Sequence, residues 1–257
     1  MFVRFRRRLS VIAVAVAASA CGSDSSTGPI ISRPITLGEA LAKIDNPALA
    51  AAAGTLGAAG TLTPAIVPSQ CAYAAASQSF VCAPITANAL TINQSFTLFD
   101  AAGTKQPAFD QATTAAVRAN SSVAGTITSE GTTLTLDSQQ ELTLSGLLSG
   151  HHTLDGTSTT HLAGTVVEGT TEVPITTTIT TTITKLVLPA STGDADAWPA
   201  SGTVVVEAST AFGPVTPATT RITVTFNGSS TVTVTILAPG ISQTCQVNLA
   251  SSEPTCG

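Results

Sequence analysis

The chain's three histidines, His151, His152 and His161, all fall in one stretch, GHHTLDGTSTTHLAG. Imidazole binds transition metals and exchanges protons near neutral pH, so two rings on one face of a hairpin would form a candidate site. Asp155-Gly156 reads as a two-residue turn. In that register His161 faces Gly150, His152 lies diagonally near it on the same side, and His151 points away. A stable centre needs a third ligand and outer partners that hold the rings. The stretch supplies neither, so His152 and His161 stand as a candidate pair against the simpler reading of exposed hairpin histidines. No metal or other cofactor is expected.

Other residues invite the same test. Asp194 and Asp196, in STGDADAWPASG, offer loop carboxylates to calcium, but without EF-hand spacing they read as a solvated acidic loop. Trp198-Pro199 beside them suggests either a ligand-stacking platform or a lone Trp packed over a sheet edge. Serines are plentiful, yet there is no GxSxG elbow and no carboxylate placed to orient a histidine for nucleophilic attack. P-loop, GxGxxG and HExxH patterns are absent too. The expectation is a non-enzymatic protein.

Cysteine chemistry reads more clearly. Besides Cys21 the chain holds Cys71, Cys82, Cys245 and Cys256, an even set that fits two disulfides in an exported protein. Of three possible connectivities, the local one joins Cys71 to Cys82 and Cys245 to Cys256, each pair eleven positions apart around a turn. In CAYAAASQSFVC this pairing sets Tyr73 opposite Phe80, a favourable cross-strand aromatic pair. Each closed loop would contribute about 3 kcal/mol in the chain-entropy picture.

The elements that carry these residues follow the two-residue period of half-buried strands. LTINQSFTLFDAAGTKQPAF reads as a hairpin turned by Asp100 to Gly103, where Gly103 can take positive φ. Further strands are expected at 123–128, 132–137, 140–148, 158–168, 172–188, 202–210, 219–226, 231–238 and 243–249. In PITTTITTTITKLVL, Ile175, Ile179, Ile183 and Val187 share one side while Thr176, Thr178, Thr180, Thr182 and Thr184 form a wet row on the other. At about 3.3 Å per residue that strand approaches 50 Å, which suggests a tall curved sheet. In RITVTFNGSSTVTVTIL, keeping Ile222, Val224 and Phe226 on the side of Val232, Val234 and Ile236 requires an odd loop, 227–229 or 227–231. The only helix signals lie near the N-terminus. Thr36 and Glu39 form a capping box before Leu37, Leu41 and Ile44, and NPALAAAAG can restart a second short helix.

The expected architecture is therefore mainly all-β: a large antiparallel meander, curved or half-barrel, with one short N-terminal helix.

The first residues, MFVRFRRRLSVIAVAVAASAC, read as an export signal with a basic start, an apolar run from Leu9 to Ala18 and small residues after it. The run is about half the length needed to span a bilayer. Ala18-Ser19-Ala20-Cys21 resembles the lipobox of bacterial lipoproteins, with Ala18 where that family prefers Leu. The resemblance implies that the Cys21 thiol is diacylglycerated, the signal removed and the new N-terminus acylated. Gly22, rather than Asp, implies outer-membrane delivery if the host has two membranes. The chain then divides into signal 1–20, a flexible lipid-anchored tether 21–35 and a β-rich domain 36–257.

Composition limits the partners. Hydrophobic residues make up 43% and aromatics 4%, so Val, Ile, Leu and Ala build the core, while charged residues are only 10% of the 257. Low charge with high hydrophobicity is the reverse of a disordered chain. Removing Arg4, Arg6, Arg7 and Arg8 with the signal leaves six basic residues against fifteen acidic, a net charge of -9. That field repels nucleic acid, and the lack of basic clusters excludes electrostatic docking on anionic lipid. Membrane attachment must be covalent. Three roles remain: a β-sheet scaffold or binding module for an unidentified ligand or envelope protein, a carrier of an apolar ligand in a half-barrel, and a cell-surface adhesion module.

Overall fold

A computed structural model of the chain describes residues 71–87, 89–129, 132–149, 151–168, 171–188, 198–249 and 253–256. The expected N-terminal helix, the Cys21 region and the Asp194–Asp196 loop lie outside them. Every regular element among the described residues is a strand: β1 (Cys71–Ala74), β2 (Ser79–Cys82), β3 (Ile85–Ala87), β4 (Leu90–Asp100), β5 (Lys105–Gln106), β6 (Thr114–Ser129) and β7 (Thr132–Ser145). The series continues with β8 (Thr153–Glu168), β9 (Thr171–Val187), β10 (Ser201–Phe212), β11 (Ala218–Phe226), β12 (Thr231–Ala238), β13 (Ile241–Asn248) and β14 (Glu253–Cys256).

All join one antiparallel sheet in the order β1-β2-β4-β6-β7-β8-β9-β10-β11-β12-β13-β14, with β3 and β5 beside β4, and the sheet does not close into a barrel. From β6 onward each strand pairs with the next, which is the expected meander. Twist accumulates at about 20–25° per neighbour, so a sheet this wide curls instead of staying flat.

One side of the sheet is the core side. Alternate residues of β10 to β13 are dry there: Val204, Ile222, Val232, Val234 and Val247 are all 0% exposed. They form one cluster with Leu142, Leu144, Leu154, Ile183, Leu186, Trp198, Phe226, Cys245 and Leu249. Thr223, Thr225, Thr233 and Thr235 occupy the opposite side, as alternation demands. Although Thr231 already pairs with Asn248 and belongs to β12, the pairing of Thr225 with Thr233 gives the register of the longer odd loop expected, 227–231. Asn227 shapes it by accepting the Ser229 N–H at 3.1 Å, while Gly228 takes φ 81°.

Four expectations require correction. Asp155-Gly156 is not a turn: β8 runs straight through it, and the hairpin joins Ser145 of β7 to Thr153 of β8. Gly156 is needed for a different reason. A Cβ there would fall on the Glu141 carbonyl oxygen and 2.8 Å from the Leu142 Cα, so only glycine allows β7 this close. Beside it, β9 bulges at Lys185, which takes φ 46°, and the Lys185 N–H donates to Asp155 Oδ1 at 2.7 Å. The bulge switches sides along β9. Leu186 and Leu188 therefore enter the core, and Val187, expected on the side of the isoleucines, does not.

The strands expected at 132–137 and 140–148 are one strand, β7, which ends at Ser145. Its core-side positions Leu134, Leu136, Leu142 and Leu144 are buried, but Ser138 and Gln140 stand among them and break the apolar pattern. On β9, Ile175 and Ile183 are buried, whereas Ile179 and Thr180 are both half-buried. Ile179 packs against the cluster, so the sides are as expected. The Asp100 turn forms as expected, with Asp100 Oδ1 accepting the Ala102 and Thr104 N–H groups and Gly103 at φ 78°. Its second strand, β5, has only two residues, and the main partner of β4 on the other side is β6.

Candidate functional site

The two cysteine pairs form as expected. Cys71 bonds Cys82 and Cys245 bonds Cys256, each across directly opposed positions of neighbouring strands. Each bond ties a four-residue outer strand to the body of the sheet at one of its two edges. An edge strand is otherwise easily peeled away, and its loss would leave an open pairing edge. Tyr73 lies opposite Phe80, with ring centroids 5.3 Å apart in an edge-on arrangement.

The histidines do not assemble. His152 precedes β8 and His161 lies nine positions on, about 30 Å away along an extended strand. Burial, and then the neighbouring His151, lower the His152 pKa below the ordinary imidazole value. His161 is exposed, and its Nδ1 lies 3.1 Å from Thr178 Oγ1. The β7–β8 register also sets Asp137 opposite His161, a neighbour that the false turn concealed. No hydrogen bond joins that carboxylate to the ring, and the rank lies in the open on the side away from the core. It lacks the oriented base and sheltered pocket of a nucleophilic site. Among the described residues no three His, Cys, Asp or Glu side chains gather as a metal set.

Trp198 is not a stacking platform. It is 9% exposed and belongs to the core cluster, the plainer of its two expected roles.

A different constellation lies on the core side of the N-terminal wing, β1 to β6, and along β7. Directly opposed residues on neighbouring strands share a side. Pairing therefore lines up Tyr73, Phe80, Phe96, Ala119 and Leu142 in one rank. The next rank along the strands holds Gln94, Ser121, Gln140, Ser158 and Thr181. No residue in either rank carries a charge. Ser121 Oγ and Gln140 Oε1 are 3.4 Å apart.

Exposure changes along the second rank. Gln94, Ser121 and Gln140 are half-buried, whereas Ser158 is 7% and Thr181 1% exposed. This rank is thus partly accessible over β4, β6 and β7 and closes beyond them, while Leu98 of β4 and Leu136, Leu142 and Leu144 of β7, on the same side, are buried. Side-chain size adds relief at these two ranks, because β6 presents Ala119 and Ser121, flanked by Val117 and Val123, between the longer Phe96 and Gln94 of β4 and the Leu142 and Gln140 of β7. The result is a shallow, uncharged groove along β6, with aromatic rings at one corner and two amides on its walls.

These residues were not singled out from the sequence. The available signal was a polar residue in the apolar phase of a strand, Gln94 between Ile92 and Phe96 and Gln140 between Ser138 and Leu142. Compared with known proteins, the chain matches no family model, no curated protein and no solved structure.

Proposed function

We propose that the chain is an exported, non-enzymatic lipoprotein of the bacterial envelope, a β-sheet scaffold or binding module held to the membrane through acylated Cys21. The observation that carries the reading is the lipobox-like Ala18-Ser19-Ala20-Cys21 at the end of an export signal. The two edge disulfides support it, since such bonds persist in oxidising compartments outside the cytoplasm. Gly22 favours the outer membrane in a host with two.

The scaffold reading is preferred to the carrier reading because the apolar side from β8 to β13 is filled by the chain's own Val, Ile and Leu side chains. The test is Cys21→Ser with labelled palmitate and membrane fractionation. The unaltered chain should take up label and remain with membranes after a high-salt wash, and the variant should do neither while keeping its sheet by circular dichroism. A variant that still partitions with membranes would defeat the anchor.

A further inference from the structure

We propose that the groove along β6 binds a neutral oligosaccharide, with sugar C–H faces against the Tyr73–Phe80–Phe96 rank and hydroxyls hydrogen-bonded to Gln94, Ser121 and Gln140. This rests on the binding-module reading and names the ligand class for it.

Both ranks are uncharged, so neither an anion nor a cation gains from entering, and the acidic remainder of the chain repels polyanions. Primary amides and hydroxyls each donate and accept, which matches the alternating donor and acceptor character of sugar hydroxyls. A purely apolar chain would leave Gln94 and the N–H groups of the Gln140 amide without partners as it covered them, an unfavourable desolvation. Aromatic rings are scarce, with one Tyr, one Trp and eight Phe in the whole chain. Three of them nonetheless share this rank at the disulfide-stapled edge, and Tyr73 keeps 37% exposure. Rings beside a few polar groups are the usual make-up of an orienting ligand site.

Shape gives the same answer. From β1 to β6 the open part of the first rank crosses four adjacent strands, about 14 Å at ordinary strand spacing. That length takes a short run of pyranose rings laid across the strands, the innermost settling over the low floor of Ala119 and Ser121. Ser158 and Thr181 continue the hydroxyl rank beneath cover, so the open part ends near β7.

Tyr73 is the only tyrosine, which makes its ring a unique reporter. The full chain, in a non-glycosidic detergent, is titrated with hexasaccharides of β-1,4-glucan, α-1,4-glucan, chitin, mannan and xylan, with a hyaluronan hexasaccharide and dodecanoate as charged and apolar comparisons. Binding is read by calorimetry and by the Tyr73 ring NMR signals. At least one neutral hexasaccharide should bind and shift those signals. Removing one wall hydrogen bond in Gln140→Ala, or the exposed ring in Tyr73→Ala, should each weaken binding about tenfold. Filling the floor in Ala119→Leu should abolish it with every polar group still present, while Leu237→Ser, on the far part of the sheet, should bind as the unaltered chain does.

Failure of every neutral sugar to bind, or equal binding by the groove variants, would overturn the proposal. A Tyr73 response to hyaluronan or dodecanoate alone would also overturn it, by showing that the groove takes another ligand class. Each of these outcomes leaves the anchored-module reading standing, since that reading fails only if Cys21→Ser remains on the membrane.

Discussion

The N-terminal wing and the strands from β8 to β13 share one backbone plan and differ in what their core-side positions carry. In the wing, β4 and β6 pair over nearly the whole length of β4, yet Phe96, Ala119, Ser121 and Val123 are only half-buried. In the second region, Val204, Val224 and Val234 occupy equivalent positions at 1% exposure or less. Hydrogen-bonded ladders are therefore not what separates the two. The difference lies in apolar area removed from water, which contributes about 25 cal/mol per Å2. The wing gives up some of that area by placing Ser and Gln on the core side, and gains an accessible polar groove.

The comparison is tested most strongly by truncation. Ile222→Ala, in the dry region, should lose about 2–5 kcal/mol from transfer and cavity terms. Val123→Ala, in the wing, should lose about 1 kcal/mol or less because its side chain is already partly wet. Urea unfolding decides between them, and equal losses would mean that the wing is as tightly packed as the rest.

The staples sharpen the same contrast. Both disulfides close loops of equal sequence separation, so the chain-entropy contribution, about 3 kcal/mol, is the same for each. Replacing Cys245 and Cys256 together by Ala should nevertheless lower the calorimetric melting temperature further than replacing Cys71 and Cys82. Cys245 lies within the main cluster and Cys82 outside it. The reverse order would place the stability-limiting unit in the wing.

Smaller effects lie at the seam between the regions. Asp155→Ala removes the acceptor for the Lys185 N–H at the β9 bulge and should lose about 1 kcal/mol in the same urea assay. An unchanged midpoint would show that the bulge is held by packing alone.

The smallest effect is that of His152. Its pKa is lowered on folding, so below the ordinary imidazole value of about 6.5 the unfolded chain takes up more proton than the folded one. Its contribution is complete above that pH and declines as the solution is acidified through it. The urea midpoint should fall slightly between about pH 7.5 and about pH 5.5, and His152→Gln should flatten the slope. An identical slope in the variant would assign it to other groups.

Local chemistry was enough to make much of this molecule legible. Cysteine spacing with the Tyr73–Phe80 match set the register of the first hairpin, and the Val/Thr alternation of β11 and β12 dictated an odd connection, because a slip of one residue would turn every valine toward water. What the sequence left open depended on neighbours that are distant in the chain. Asp155-Gly156 has the residues of a turn, and only the approach of Glu141 and Leu142 makes it a flat crossing beside the Lys185 bulge. Gln94 and Gln140 interrupt their own strands, and only the pairing of β4, β6 and β7 joins those interruptions across Ser121 into one groove. Periodicity says which side of a strand a residue occupies, whereas which residues meet across the sheet is decided by register and by the bulges that shift it.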